Sequence, residues 1–266
     1  MILRTLGQNL AEQLSHSQFR RPLVLVSVES PNTLSGYVYA VLDHPFALVS
    51  QSLNDPVDGP SNWREVLILH TNTKYCRVKT VGNRAALTVN IGEKTEQALA
   101  DSSRMEFQYH QIASSTGYFK VELDAASGPL STRDYHIILE AVALDDHHTF
   151  LHLTYAYGYG FVGRMAMEGY LATVGRNKVG FTMISTQPVE YIAGLRGTVE
   201  RNSMRYCLAI DAYLDALASA PEKQLEQRLT HWFDSIEQYP RQLHDVERAD
   251  YMLMKNNEYA RQKTVQ

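Results

Sequence analysis

The sequence predicts an α+β fold: a curved antiparallel sheet wrapped around a long helix near the carboxy terminus, with extra helices beyond it. Three observations point there. Between residues 74 and 157 the chain reads as successive β-branched and aromatic segments, most separated by turn formers such as Gly82-Asn83, Ser127-Gly128-Pro129 and Asp145-Asp146. Links this short join antiparallel neighbours. The strongest helical pattern follows at 194–220, where Leu195, Val199, Asn202, Tyr206, Ile210, Tyr213 and Leu217 fall in one narrow arc. A sheet that buries one face needs a cover, and a helix with a single apolar stripe supplies it.

The elements follow in order. Apolar residues at 3, 6, 10, 11 and 14 predict a first helix. Residues 23–28, bounded by Pro22 and Pro31, predict a strand, and 36–42 a second strand or its continuation. Pro45 opens a short helix over 46–53, where its missing N–H costs nothing, and Asn54-Asp55-Pro56 ends it. Ser61 or Asn62 can cap a second short helix containing Trp63, Val66 and Leu67. Strands are expected at 74–81, 85–91, 105–112, 117–123, 135–144 and 149–157. A helix then reads over 164–173, one more strand over 178–185, and the long helix over 194–220. Pro221 and Pro240 frame two further amphipathic helices, 225–236 and 246–259. The expected organisation is an amino-terminal helix over 1–20, a main domain over 21–220 and a helical extension over 221–266.

Composition narrows the function classes. The chain has 266 residues, 25 Lys and Arg against 29 Asp and Glu, and a net charge of −4. That length is ample for a core, and the acidic balance gives no electrostatic case for nucleic acid. The longest nearly apolar run, 22–28, is too short for a transmembrane segment. Polar residues interrupt MILRTLGQNLAEQLSHS before a signal core forms. The chain as given is therefore expected in the cytoplasm, or in the periplasm if a leader was trimmed. Cys76 and Cys207 have no metal spacing and are expected as buried thiols.

The segments DHPFALVSQSLNDP with SNWREVLILH, then KYCRVKTV, then GLRGTVERNSMRYCLAIDAYLDAL follow the element order of the START-like (SRPBCC, helix-grip) superfamily. The chain resembles that superfamily over roughly 23–220. LHTNTKYCR and YLATVGRNKVGFT also look like segments of a group of uncharacterised bacterial START-like proteins. The resemblance implies a hydrophobic cavity between sheet and long helix, lipid binding there, and the helix as a lid. The chain departs from a minimal helix-grip domain by an insertion at 158–177 and by residues 221–266.

Candidate residues follow from both readings. Asn202 and Tyr206 are polar groups inside the apolar arc, so each needs a partner in the protein, water or a ligand. With Trp63, Tyr109, Tyr118, Tyr155, Tyr157 and Ile210 they are the expected ligand-binding lining. Sixteen tyrosines against eight phenylalanines suit a hollow that holds an amphipathic molecule. Arg164 and Lys178, with Arg176, Arg196, Arg201 and Arg205, are rim candidates for a carboxylate or phosphate head group; the alternative is pairing with Glu122 or Glu140. Arg196 and Glu200, four residues apart, can pair along the helix. His70 and Glu140 are the catalytic candidates, serving a cyclase or hydrolase by proton transfer if they face the cavity.

No metal and no cofactor are expected. On a strand His147 points away from His148 and His152, and those two lie about 13 Å apart at about 3.3 Å per residue, too far for one zinc. GYGFVG at 158–163 lacks the βαβ unit of a dinucleotide fingerprint, and no GxSxG elbow is present. The expected partner is a hydrophobic or amphipathic small molecule, with a cyclase-type enzyme or a scaffold with a filled core as alternatives. The helices after residue 220 pack on the long helix or the sheet, or build a homo-oligomer.

Overall fold

A computed structural model describes residues 2–264 apart from Asn83 and Val174. The expected Gly82-Asn83 turn thus lies partly outside the described residues. Two helices, α1 (Ile2–Asn9) and α2 (Ala11–Ser15), stand where one was expected, with Leu10 between them. β1 (Leu23–Ser30) and β2 (Thr33–Leu42) form a hairpin, and α3 (Phe46–Leu53) and α4 (Gly59–Leu67) follow. A meander then runs through β3 (Thr73–Val81), β4 (Arg84–Ile91), β5 (Ser103–Ser115), β6 (Tyr118–Ser127), β7 (Thr132–Ala143) and β8 (Thr149–Tyr159). β8 returns to pair with β2, Leu153 opposite Val38, so one antiparallel sheet has the order β1-β2-β8-β7-β6-β5-β4-β3. The chain continues with α5 (Phe161–Ala172), a small hairpin of β9 (Met183–Thr186) and β10 (Val189–Tyr191), and α6 (Gly194–Ala216). It closes with α7 (Gln224–Glu237), α8 (Pro240–Leu243) and α9 (Arg248–Thr264). The fold is a helix grip, an eight-stranded sheet around α6 with additional carboxy-terminal helices.

Strand alternation sorts the two faces. Phe119, Val121 and Leu123 of β6, Ile137 and Leu139 of β7 and Leu153 of β8 belong to the main core on the α6 side. Tyr118, Val142 and Phe150 point the other way and meet Leu3 and Leu14 of α1 and α2. One continuous cluster takes in Phe19 at one end of the chain and Met254 at the other.

The single apolar stripe expected of the long helix gives way to burial nearly all round α6. The sheet covers one side, and α7 covers another through Leu229, Trp232, Phe233 and Ile236. Trp232 Nε1 donates to the Arg205 carbonyl at 3.3 Å. The helix is an axis of the core rather than a lid over it. Where it crosses β2 the backbones come close enough that a Cβ at Gly36 would run into Ser203.

The strand expected over 178–185 is not part of the sheet. Glu200 of α6 accepts the Phe181 and Thr182 amide N–H groups at 2.6 and 2.9 Å, and the Gly180 N–H donates to the Ile192 carbonyl. Backbone donors that a ladder would use are satisfied by a helix carboxylate, and β9 pairs with β10 instead.

Buried charge ties α9 to β3. Glu258 accepts from Lys74 at 3.1 Å and from Lys255 at 2.7 Å, and Lys255 also donates to the His70 and Thr73 carbonyls. Burial pushes Lys255 down to about 8 against the pull of Glu258. Removing the shared carboxylate leaves two ammonium groups uncompensated. Glu258→Gln is expected to cost about 3–5 kcal/mol in urea unfolding, the range for breaking a buried pair; a loss below about 1 kcal/mol, the size of an exposed pair, would show that this contact does not hold α9.

Candidate functional site

The register places the starts of β3, β5 and β7 and the ends of β4, β6 and β8 at one end of the sheet. The inward positions there change from aliphatic to tyrosine. Tyr135 continues the Ile137–Leu139 face of β7, and Tyr155 and Tyr157 continue the Leu151–Leu153 face of β8. Tyr135 stacks on Tyr157 with centroids 5.1 Å apart, and Phe107 meets Tyr135 edge-on at 6.4 Å. From α6, Tyr206 lies 5.2 Å from the Tyr155 ring and 5.5 Å from the His70 ring, with Trp232 behind His70 at 6.5 Å.

The wide hollow expected between sheet and helix is filled along most of its length. Ile137, Leu139, Leu153 and Ile210 are all 0% exposed. Tyr155, His70 and Tyr206 are buried but keep 6, 7 and 9% of their surface. At the tyrosine end this residual exposure marks a seam between the rings, called the crevice below. Two surface concavities lie elsewhere: about 240 Å³ between Lys94–Glu96 and Val246, Asp250, Leu253 and Met254, and about 460 Å³ between α2 and β1.

Polar groups in the crevice are unequally satisfied. The Tyr135 hydroxyl shares a 2.7 Å bond with Thr132 Oγ1, and Asn202, half-buried, lies close enough to lower the Tyr155 pKa against the larger effect of burial. The Tyr206 hydroxyl carries no hydrogen bond among the described residues. It is also not among the polar atoms sealed away without a partner, so it opens onto space that a water can reach. Burial pushes the Tyr135 phenol up to about 12 and those of Tyr155, Tyr157 and Tyr206 higher still, so all four remain protonated. His70 Nδ1 accepts the Asn72 amide N–H at 3.2 Å, which assigns the ring proton to Nε2 in the neutral form. Burial, then the Arg205 charge, hold His70 well below its ordinary pKa.

The other expected site residues are spread over the molecule. Trp63 is sealed in the core and donates to the Leu53 carbonyl at 3.1 Å. Tyr109 donates to the Leu53 and Asp55 carbonyls at 3.3 and 3.2 Å, pinning the α3–α4 connection. Tyr118 and Glu140 lie on the convex face, so Glu140 does not face α6 as a proton-transfer group would need. There His152 donates to Glu140 at 3.3 Å and Tyr118 at 2.7 Å, and together they hold the carboxyl at about 2.

The basic residues find partners that spacing did not suggest. Arg164 pairs with Glu168 and Glu29 at 2.9 and 3.1 Å, and Arg176 is exposed. Arg196 donates to Ser27 rather than to Glu200, and Arg201 to the Val179 carbonyl and Thr198. Lys94, Lys178 and Arg205 converge on Asp245, which follows α8 and is fully buried. A protein carboxylate thus stands against these cations, in place of Glu122 or Glu140. Both cysteines are free and buried.

The chain is similar in fold to several solved structures. Zhui aromatase/cyclase from Streptomyces sp. R1128 is 12% identical, with 58% of this chain and 86% of that chain covered and a TM-score of 0.37. Norcoclaurine synthase from Thalictrum flavum is 12% identical, with 72% and 100% covered and a TM-score of 0.38. A START superfamily protein from Mycobacterium smegmatis is 10% identical, with 55% and 92% covered and a TM-score of 0.34. At such distance these neighbours carry nothing about activity, and the helix-grip fold follows from the strand order and the helix it encloses. No protein-family model matches the chain, and no curated protein matches it.

Sequence reasoning missed Tyr135, Trp232 and Asp245. Tyr135 was legible from its alternation with Ile137 and Leu139, whereas the other two sit in the extension and no local signal places them.

The depressed pKa of His70 links the crevice to stability. Below the ordinary imidazole value of about 6.5 the unfolded chain binds a proton that the folded one refuses. This contribution is therefore complete above that pH and is lost as pH falls, by up to about 1.4 kcal/mol per pH unit. Urea midpoints measured from pH 7 to 5 should show His70→Gln with a shallower decline than the parent.

Proposed function

We propose that the protein binds a hydrophobic or amphipathic small molecule, a lipid among the candidates, in the crevice between sheet and α6. The observation that carries this reading is the cluster of Tyr135, Tyr155, Tyr157, Tyr206 and His70 rings at one end of the concave face, where the Tyr206 hydroxyl has no hydrogen bond among the described residues. Burying an apolar body there contributes about 25 cal/mol per Å² before ordering costs. Asn202 and the unpaired Tyr206 hydroxyl orient a polar end. The crevice is narrow, so entry requires the rings to move. α5 packs over this end of the sheet with Gly163 tight against Ser131, while Phe161, Val162 and Met165 remain exposed. It is the element that would have to shift.

The filled core favours a second reading, a scaffold whose outer surfaces do the work. A cyclase or hydrolase reading retains only His70, because Glu140 lies on the opposite face of the sheet. Native mass spectrometry of freshly purified protein separates the first two. A retained apolar adduct, lost in a folded Tyr206→Trp variant that fills the crevice, is the expected outcome. Asn202→Leu should weaken a fluorescent fatty-acid probe about tenfold, or about 1.4 kcal/mol for one lost hydrogen bond. A clean mass with no probe binding by the parent protein would favour the scaffold.

A further inference from the structure

The geometry points to a binding site for a divalent transition ion of the zinc class, built by His44, Asp211, Asp215 and His231. It lies apart from the crevice and does not depend on it. Asp211 and Asp215 are one turn apart on the carboxy-terminal half of α6 and so share a face. His44 follows β2, and its position is set by the Thr149 hydroxyl, which donates to the His44 carbonyl at 2.7 Å. His231 comes from α7. His44 Nε2 lies 3.1 Å from Asp215 Oδ1, and His231 Nδ1 lies 3.5 Å from Asp215 Oδ2.

Donor atoms of His44, Asp211 and Asp215 all fall within 4.8 Å of one another. Bonds of about 2.0–2.2 Å in a tetrahedron place neighbouring ligand atoms about 3.4 Å apart, so the three would have to draw together on an ion, with His231 as the fourth donor. Two imidazoles with two carboxylates suit zinc, cobalt or nickel, whereas magnesium and calcium seek oxygen-rich shells. The carboxylates neutralise the ion. Arg21 donates to Asp211 at 2.6 Å and orients it from behind, as an outer-shell partner does.

The same groups already attract one another without an ion. The hydrogen bond to Asp215 raises the pKa of His44, burial opposes it, and Asp215, Asp211 and Asp43 add attraction. His231 and Arg21 face the same carboxylates from α7 and from the segment before β1.

The test uses the full chain stripped with a chelator, titrated with Co²⁺ as a spectroscopic probe and with Zn²⁺ by calorimetry. One ion per chain with tetrahedral Co²⁺ bands is expected. Asp215→Asn and His44→Gln should each weaken Zn²⁺ by at least about tenfold, a loss that even an outer-shell change produces. His231→Gln, at a half-buried position, should also weaken it and covers the case in which a His44 variant fails to fold. His148→Gln is the control, because His148 sits beside Asp43 and Asp145 in a neighbouring histidine–acid group. It should bind as the parent does. No ion bound, unaltered Zn²⁺ affinity in folded His44→Gln or His231→Gln, or a loss confined to His148→Gln would overturn the assignment.

Discussion

Enclosure of α6 on nearly every side is the constraint from which the rest of the structure follows. A helix with polar residues away from its sheet-facing side would ordinarily leave them in water. Here Glu200, Arg201, Ser203 and Arg205 are buried, and buried polar groups must be satisfied from within. Glu200 gathers Ser27 and the backbone of Phe181 and Thr182, and Arg205 draws in Asp245. Apart from Ser27 of β1, these partners belong to segments without regular structure of their own. The segment before α6 and the extension after it are therefore parts of the core, held there by the helix's polar faces.

The two ends of the concave face differ because aliphatic and phenolic side chains obey different rules. Leucine, valine and isoleucine close a space completely and ask nothing more of it. A tyrosine brings a hydroxyl that must find a partner, and four rings cannot all do so among themselves. Tyr135 finds Thr132, while the Tyr157 and Tyr206 hydroxyls have no hydrogen bond among the described residues. The result is a crevice of neutral aromatic groups beside a neutral histidine. On the convex face the same alternation places Glu140, His152, Glu122 and His136 in mutually satisfied pairs.

Much of this architecture was legible in local patterns. The bounds of α3 match the expectation from Pro45 and Asn54, and the strands of the meander appear where β-branched and aromatic residues alternate. Tyr206 and Asn202 stood out as polar members of an apolar arc, and both reach the crevice. Tyr109, Tyr118 and Trp63 were equally good tyrosine and tryptophan candidates by type. Their roles were set by which carbonyl or carboxylate happened to lie within reach, and a one-dimensional pattern does not carry that information.

Period and propensity act over a few residues, and at that range the chain dictated a sheet, a pair of short helices and one long amphipathic helix. The choice of which distant groups meet belongs to tertiary packing. It turned the expected lid into a central axis, diverted residues 178–185 from the sheet to a helix carboxylate, and gave Arg205 an aspartate forty residues further along the chain. Those outcomes depend on desolvating groups that are adjacent only after folding, and the cost of leaving any one of them unpaired is what selects the arrangement.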